Sequence, residues 1–266
     1  MKNSLKYIKN IFKVLIWPIV FTIGQFFINY IFIAVFNSKE KGTMNSSEFI
    51  EYIKTLEYKE RLNNYINSKT LLIILITTII FLPIIYKVFK KYKKENKFTL
   101  KDIIIPTFFG ITISLVYNII LFYLNNKFNF TNKFEINNIP LIVQIVSSGI
   151  LGPILEELIF RGIVYNKLKT FNKQKISMIL TSIIFALFHS DIINAIYAFI
   201  VSFVLIYLYE KYKSLKAPIL THIFLNTTII LMLNIITKNF IIFNLYLLII
   251  SIIILLVLKI YLKKDE

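Results

Sequence analysis

The chain has 266 residues, of which 57% are hydrophobic and only 17% are charged, and its net charge is +17. Soluble domains carry about 25% charged residues, so the composition excludes an ordinary soluble domain and indicates a membrane protein. The lysines lie in short clusters between apolar segments, as in membrane-protein loops, where they also attract anionic lipid. The positive charge therefore requires no nucleic acid, and none is expected as a partner. Cysteine is absent, which excludes disulfides, thiolate metal sites and a cysteine nucleophile.

Eight apolar segments predict an all-α, polytopic membrane protein, since one crossing needs about 20 residues. The first segment follows three lysines but is longer than the roughly 7–15-residue core of a cleaved signal, which predicts an uncleaved helix. The fifth and sixth are separated only at His189-Ser190-Asp191, yet together they are too long for one crossing. The predicted spans are residues 11–36, 71–89, 103–124, 140–165, 176–190, 192–209, 217–236 and 240–262.

The basic residues of alternate loops predict the orientation in the membrane. Of the 31 Lys and Arg residues, 21 fall on the side that holds both termini and nine on the other, with Arg161 inside a span. The positive-inside rule then places the N- and C-termini in the cytoplasm of a multi-pass cell-membrane protein. Merging the fifth and sixth spans would move two lysine clusters outside, so the charge pattern favours eight spans. The lipid bilayer is accordingly an expected partner.

Residues 37–70 form the longest predicted loop. Phe49 and Ile53 recur at helical spacing among charged residues, which predicts an amphipathic helix on the outer surface, capped by Ser46 or Ser47. A role in gating substrate is the alternative.

The chain is divided into residues 1–139, with the N-terminal spans and this external amphipathic loop; residues 140–236, a predicted catalytic core; and residues 237–266, with the last span and a cytoplasmic tail.

Three ionisable residues lie inside the fourth predicted span: Glu156, Glu157 and Arg161. Each costs roughly 2.5–3.5 kcal/mol at membrane depth, so such residues are kept mainly where they pair or do chemistry. Glu157 and Arg161 are four residues apart on one helix face, which predicts a structural ion pair. Glu156 points about 100° away from Glu157 and has no sequence-local partner, so it is a candidate general base. The alternative is that both glutamates only bind helices together.

The two histidines of the chain, His189 and His222, also lie in predicted spans. A single membrane histidine most often forms a helix-to-helix hydrogen bond, which remains the alternative for each. His222 and Asn226 share one helix face, so Asn226 can orient the imidazole or donate to an oxyanion. Counting about 1.5 Å per residue from the flanking lysines, we expect these residues and Glu156 to converge in the cytoplasmic half or middle of the bilayer.

The ordered motifs of these spans resemble those of a known family. They are Glu-Glu-x-x-x-Arg at 156–161, Phe-x-x-x-His at 185–189 and His-x-x-x-Asn at 222–226. Over about residues 140–230 the chain resembles the CPBP family, the CAAX-processing and bacteriocin-processing intramembrane proteases, also called Abi. The resemblance implies a glutamate-dependent endopeptidase, labelled a metalloprotease in the family, that acts on a peptide or membrane-protein substrate. Glu156 would activate water, His189 and His222 would complete the site, and Asn226 would stabilise the oxyanion.

The sequence leaves two questions open: whether the site binds a metal, and whether the protein is catalytic. Two histidines and Glu156 could supply three ligands and an open fourth position for zinc, but a liganded Glu156 would be less free to act as a base. Other intramembrane proteases fit poorly, because the chain has no His-Glu-x-x-His motif and no aspartate deep in a span. The rival function is a non-catalytic bacteriocin-immunity or membrane scaffold protein with the same fold, and a transporter is a more distant third.

Overall fold

The computed structural model describes residues 2–92, 96–128, 139–189, 191–235 and 240–263. These ranges contain helices and no strand, so the predicted all-α fold is confirmed. In chain order the helices are α1 (Lys2–Lys41), α2 (Ser46–Tyr52), α3 (Leu56–Phe89), α4 (Lys101–Phe128), α5 (Leu141–Leu168), α6 (Gln174–Leu187), α7 (Ile192–Tyr212), α8 (Lys216–Ile235) and α9 (Phe240–Lys263).

The helices have the length and composition of membrane spans. Within the described ranges, α1, α3, α4, α5, α7 and α8 are long and apolar enough to cross a bilayer, whereas α6 and the stretch Ile242–Leu256 of α9 are shorter apolar helices. Their outward faces carry large apolar side chains, such as Phe12 and Ile79, which are 68% and 72% exposed. Such faces suit lipid better than water. The chain is therefore a polytopic membrane protein, and its orientation remains a prediction.

Helix α5 lies at the centre and contacts α1, α3, α6 and α8. Its turns widen to π-helix at Ile145–Leu151 and Leu158–Tyr165, on either side of an α-helical stretch at Gly152–Glu157. Pro153 has no N–H to donate, and Gly152 donates to the carbonyl of Ser147, five residues back. These wide turns rotate the side chains of Gly152–Glu157 relative to a regular α-helix.

Helix α8 packs between α4, α5 and α7. It approaches α4 most closely at Gly110, where a Cβ would lie 2.3 Å from the carbonyl oxygen of Thr221. The Thr221 hydroxyl donates to the Pro106 carbonyl at 2.9 Å, which fixes the rotation of α8 against α4. The next residue, His222, therefore faces α5 rather than the lipid.

The predicted loop at 37–70 is shorter than expected. Helix α3 begins at Leu56 and continues for 34 residues, about 51 Å, so residues 56–70 form one helix with the predicted span instead of a separate amphipathic helix. The short α2 is capped by Asn45 and not by Ser46 or Ser47. The Asn45 side chain accepts the N–H of Glu48, whose carboxylate accepts the N–H of Asn45, so both end groups are satisfied.

The fifth helix ends three residues earlier than predicted. Helix α6 stops at Leu187, and His189 lies in the turn before α7. His189 stabilises this end, because its Nδ1 donates at 3.0 Å to the carbonyl of Phe185, which also accepts the N–H of Phe188 at 3.3 Å. The 14 residues of α6 cover only about 20 Å, less than the roughly 30 Å hydrocarbon core. A helix that begins at the cytoplasmic boundary would therefore end with His189 at membrane depth.

Candidate active site

A buried cluster of charged side chains joins α5 to α8. Arg161 donates from Nη1 to Glu157 Oε1 at 2.8 Å, and His222 Nδ1 lies 2.8 Å from the same oxygen. Glu157 and Arg161 are fully buried, and the His222 side chain is 6% exposed. A carboxylate paired with arginine only accepts hydrogen bonds, so Nδ1 of His222 is the donor. Glu157 thus binds a cation on its own helix and orients a histidine on another.

Further contacts of Arg161 offset the cost of burying its charge. Its guanidinium lies 4.6 Å from the ring centroid of Phe185 on α6, a cation–π distance, and Nη2 lies 3.5 Å from the Ser202 carbonyl on α7. Phe185 also meets the ring of His189 edge to face at 4.9 Å. The arginine therefore connects α5, α6 and α7 beneath the site.

Glu156 has the opposite environment. Its side chain is 36% exposed, and Oε2 lies 3.7 Å from His222 Nε2, which is too long for a direct hydrogen bond but close enough for both atoms to contact one water. Adjacent glutamates on one helix thus divide into a fully buried partner of arginine and an accessible carboxylate.

Two cavities, of about 370 and 390 Å3, meet at Glu156. Asn226 lines the first and His189 lines the second. Asn226 donates from Nδ2 to the Ser148 carbonyl at 3.0 Å, where α5 and α8 approach closely. A Cβ on Gly149 would lie 2.9 Å from the Thr227 hydroxyl, so glycine permits this approach. The structure brings Glu156 beside His222, and places His189 and Asn226 in different cavities, both of which Glu156 lines.

The amides of α1 were not among the residues singled out from the sequence. Gln25 lines both cavities with Glu156, and Asn29 lines the first. The sequence does contain a signal for them, since two primary amides four residues apart interrupt an apolar span and are costly there. The sequence could not show that α1 packs against α5, so it gave no reason to assign these amides to the site.

The donors do not fit the three-ligand zinc arrangement considered from the sequence. Among the described residues, no three His, Asp or Glu side chains form a group that could hold a metal ion. Nδ1 of His222 is engaged by Glu157 and Nδ1 of His189 by the Phe185 carbonyl, so only the Nε2 atoms of the two rings remain as possible ligands.

Comparison with known proteins gives two matches. Residues 138–228 match the family described as "Type II CAAX prenyl endopeptidase Rce1-like". The chain is also similar to "Putative membrane peptidase YdiL" of Bacillus subtilis (strain 168), at 32% identity over 97 residues, which are 36% of this chain and 39% of that protein. The chain thus matches about two fifths of that relative's length. No solved structure shows significant similarity.

The matched segment carries all three motifs and the whole buried cluster. The Rce1-like match and the similarity to a membrane peptidase confirm the resemblance drawn from the motifs. Both matches are described as peptidases, and the relative as a membrane peptidase. Residues 138–228 are therefore similar to the Rce1-like CAAX endopeptidases, in agreement with the resemblance to the CPBP family.

Proposed function

We propose that this protein is an intramembrane endopeptidase in which Glu156 is the general base. One observation carries the proposal: Glu156 is the glutamate that Arg161 does not bind, and its accessible carboxylate lies where two cavities meet. A base must reach both water and substrate, which the fully buried Glu157 cannot do.

His222 would position the attacking water. Its Nδ1–H is donated to Glu157, so Nε2 faces Glu156 with either a lone pair or a proton. In the neutral ring Nε2 can accept a hydrogen bond from the water whose other proton goes to Glu156. The carboxylate–histidine pair fixes the ring orientation, as such pairs do in other hydrolytic sites.

The reaction follows from these placements. The water oxygen bonds to the carbonyl carbon of the scissile peptide while its proton passes to Glu156. The tetrahedral intermediate then collapses with cleavage of the C–N bond, and Glu156 returns the proton to the leaving amine. Asn226 is proposed to stabilise the oxyanion, because Nδ2 carries a second proton beyond the one donated to Ser148.

His189 is proposed to act from the other cavity. Its Nδ1 is held by the Phe185 carbonyl, so Nε2 is left for the cavity that His189 shares with Glu156. A substrate bound there would meet Nε2 as a hydrogen-bond partner on the side of Glu156 opposite Asn226. The substrate is proposed to be a peptide or membrane protein cut in the cytoplasmic half or middle of the bilayer.

Replacement of Glu156 by glutamine tests the proposal. The purified full chain in detergent micelles is incubated with a peptide library derived from a digested proteome, and cleavage is followed by mass spectrometry. Glu156→Gln keeps the size of the side chain but cannot accept the proton, so we expect a loss of about 10²–10⁴-fold in rate with the fold intact. His222→Ala should also lose activity.

The matched control is Glu51→Gln, the same change on helix α2, where the side chain is 74% exposed. This variant should cleave at the wild-type rate. Full activity of a folded Glu156→Gln protein would refute the protease mechanism. The remaining function would then be a non-catalytic immunity or scaffold protein that uses the same cavities only for binding.

A further inference from the structure

The two cavities that meet at Glu156 differ in chemistry. The first, called the polar cavity, is lined by amides and hydroxyls, including Gln25, Asn29, Thr70, Thr77 and Asn226. The second, called the aromatic cavity, is lined by five phenylalanines at 21, 26, 160, 185 and 188. Their volumes, about 370 and 390 Å3, fall in the range of ligand-binding pockets.

Two threonines of the polar cavity present hydrogen-bond acceptors to its contents. Thr70 and Thr77 of α3 donate their hydroxyl protons to carbonyls of their own helix, Ile66 at 3.3 Å and Ile73 at 2.8 Å. Their oxygens therefore keep lone pairs for an outside donor. An extended peptide backbone offers one N–H per residue and needs such acceptors inside a membrane.

The aromatic cavity is preorganised by ring packing. The rings of Phe160 and Phe185 meet edge to face at 4.9 Å, and those of Phe160 and Phe188 at 5.8 Å. Phe185 is held by the buried Arg161, so this wall is anchored to the ionic cluster. Phe26 and Phe188, at 70% and 39% exposure, leave the cavity accessible from outside the protein. Such walls favour a large apolar group over a polar one.

Gln25 lies where the two cavities adjoin. It lines both of them with Glu156, and in the part of the chain that the structure describes no group hydrogen-bonds to its side-chain amide. A primary amide inside a membrane helix is costly unless it finds a partner. A peptide group that passes from one cavity to the other would supply both a donor and an acceptor.

We infer that the two cavities are the two halves of one substrate cleft, and that the aromatic cavity selects a large apolar side chain next to the scissile bond. The polar cavity binds the extended backbone on the other side of Glu156, and Gln25 positions the peptide groups between them. The substrate class is thus an extended peptide with a bulky apolar residue beside the cut. This inference rests on the proposed peptidase activity.

The test is a specificity profile with the proteome-derived peptide library, recorded for the full chain in detergent micelles. Cleavage sites of the wild type should be enriched in Phe, Leu, Ile and Met at one position adjacent to the cut. Thr22→Phe fills the aromatic cavity from α1, so it should lower cleavage at large apolar residues by about tenfold relative to cleavage at alanine.

Four further variants keep the test decisive. Ile23→Phe adds an aromatic ring at the next residue of α1, where the side chain is 61% exposed and lines neither cavity, and it should keep the wild-type profile. Phe188→Ala opens the partly exposed wall, so it should weaken the preference even if Thr22→Phe fails to fold. Gln25→Leu should raise KM and lower kcat, whereas Gln25→Asn should recover part of the loss.

Each outcome separates the two proposals. Cleavage with an apolar preference that Thr22→Phe shifts and Ile23→Phe does not would support the inference. Cleavage without positional preference, or with a preference that no cavity variant changes, would overturn it and leave the peptidase proposal standing. Absence of any cleavage by the wild type would overturn both.

Discussion

Replacement of Arg161 by alanine tests the buried ion pair that supports the site. Glu157 and Arg161 are fully buried and 2.8 Å apart, so the variant leaves a carboxylate without its cation inside the membrane. Removal of one partner from a buried pair costs about 3–5 kcal/mol, or about 10²–10⁴-fold in the folding equilibrium. The loss of the guanidinium contact with Phe185 adds to this cost.

Glu156→Gln is the matched comparison on the same helix. The Glu156 side chain is 36% exposed, and its distance to His222 Nε2 is 3.7 Å, longer than a hydrogen bond. Its replacement strands no buried charge, so we expect a change in the free energy of unfolding within about 0.5 kcal/mol. The two variants should therefore differ greatly in stability although both remove one charge from α5.

The assay is the fraction of monodisperse protein recovered by size-exclusion chromatography after heating in detergent micelles. Arg161→Ala should lose its monodisperse fraction at a much lower temperature than the wild type, and Glu156→Gln should lose it at the wild-type temperature. The double variant Glu157→Gln with Arg161→Met leaves no buried charge, so it should lose less than the two single losses added together. A greater loss for Glu156→Gln than for Arg161→Ala would mean that the structural and catalytic glutamates have been exchanged.

Three further predictions concern orientation, packing and chemistry. A reporter fused after Lys94 should read cytoplasmic and one fused near Lys54 external; the reverse result would overturn the charge-based topology. Gly110→Ala should lower the free energy of unfolding by about 1–3 kcal/mol, and with it the melting temperature, because its Cβ would lie 2.3 Å from the Thr221 carbonyl oxygen. An unchanged melting temperature would contradict the close approach of α4 and α8. Metal chelators should leave peptide cleavage by the purified protein unchanged, since the described residues form no three-donor group; restoration of lost activity by zinc would contradict this.

Much of the fold follows from the sequence because the membrane imposes simple rules. The bilayer requires long apolar segments and satisfied backbone groups, so each of the eight predicted spans falls on a helix, six of them on helices long enough to cross a bilayer within the described ranges. Helix ends were harder to predict, as α6 shows. His189 lies beyond the helix, and its side chain donates to the Phe185 carbonyl at the helix end, an interaction that hydropathy cannot register.

The sequence by itself also determined which residue types were candidates for the site. Periodicity relates side chains on one helix, and the spacing of Glu157 and Arg161 needs no other helix to suggest a pair. The same reasoning treats His222 and Asn226 as one face but cannot say what that face meets. The motifs thus identified the candidates for chemistry and a family resemblance, both within the segment from 138 to 228.

Only the tertiary structure decided how these groups are shared between helices. Glu157 accepts from His222 as well as Arg161, and Gln25 of α1 adjoins Glu156, although 65 and 131 residues separate the members of these two helix-to-helix pairs. Such contacts depend on the rotation of each helix about its axis. That rotation is set by packing, as where Gly110 and Gly149 let backbones approach, rather than by local sequence. The cleft between the helices is therefore a property of their packing, whereas its charged groups were already visible in the chain.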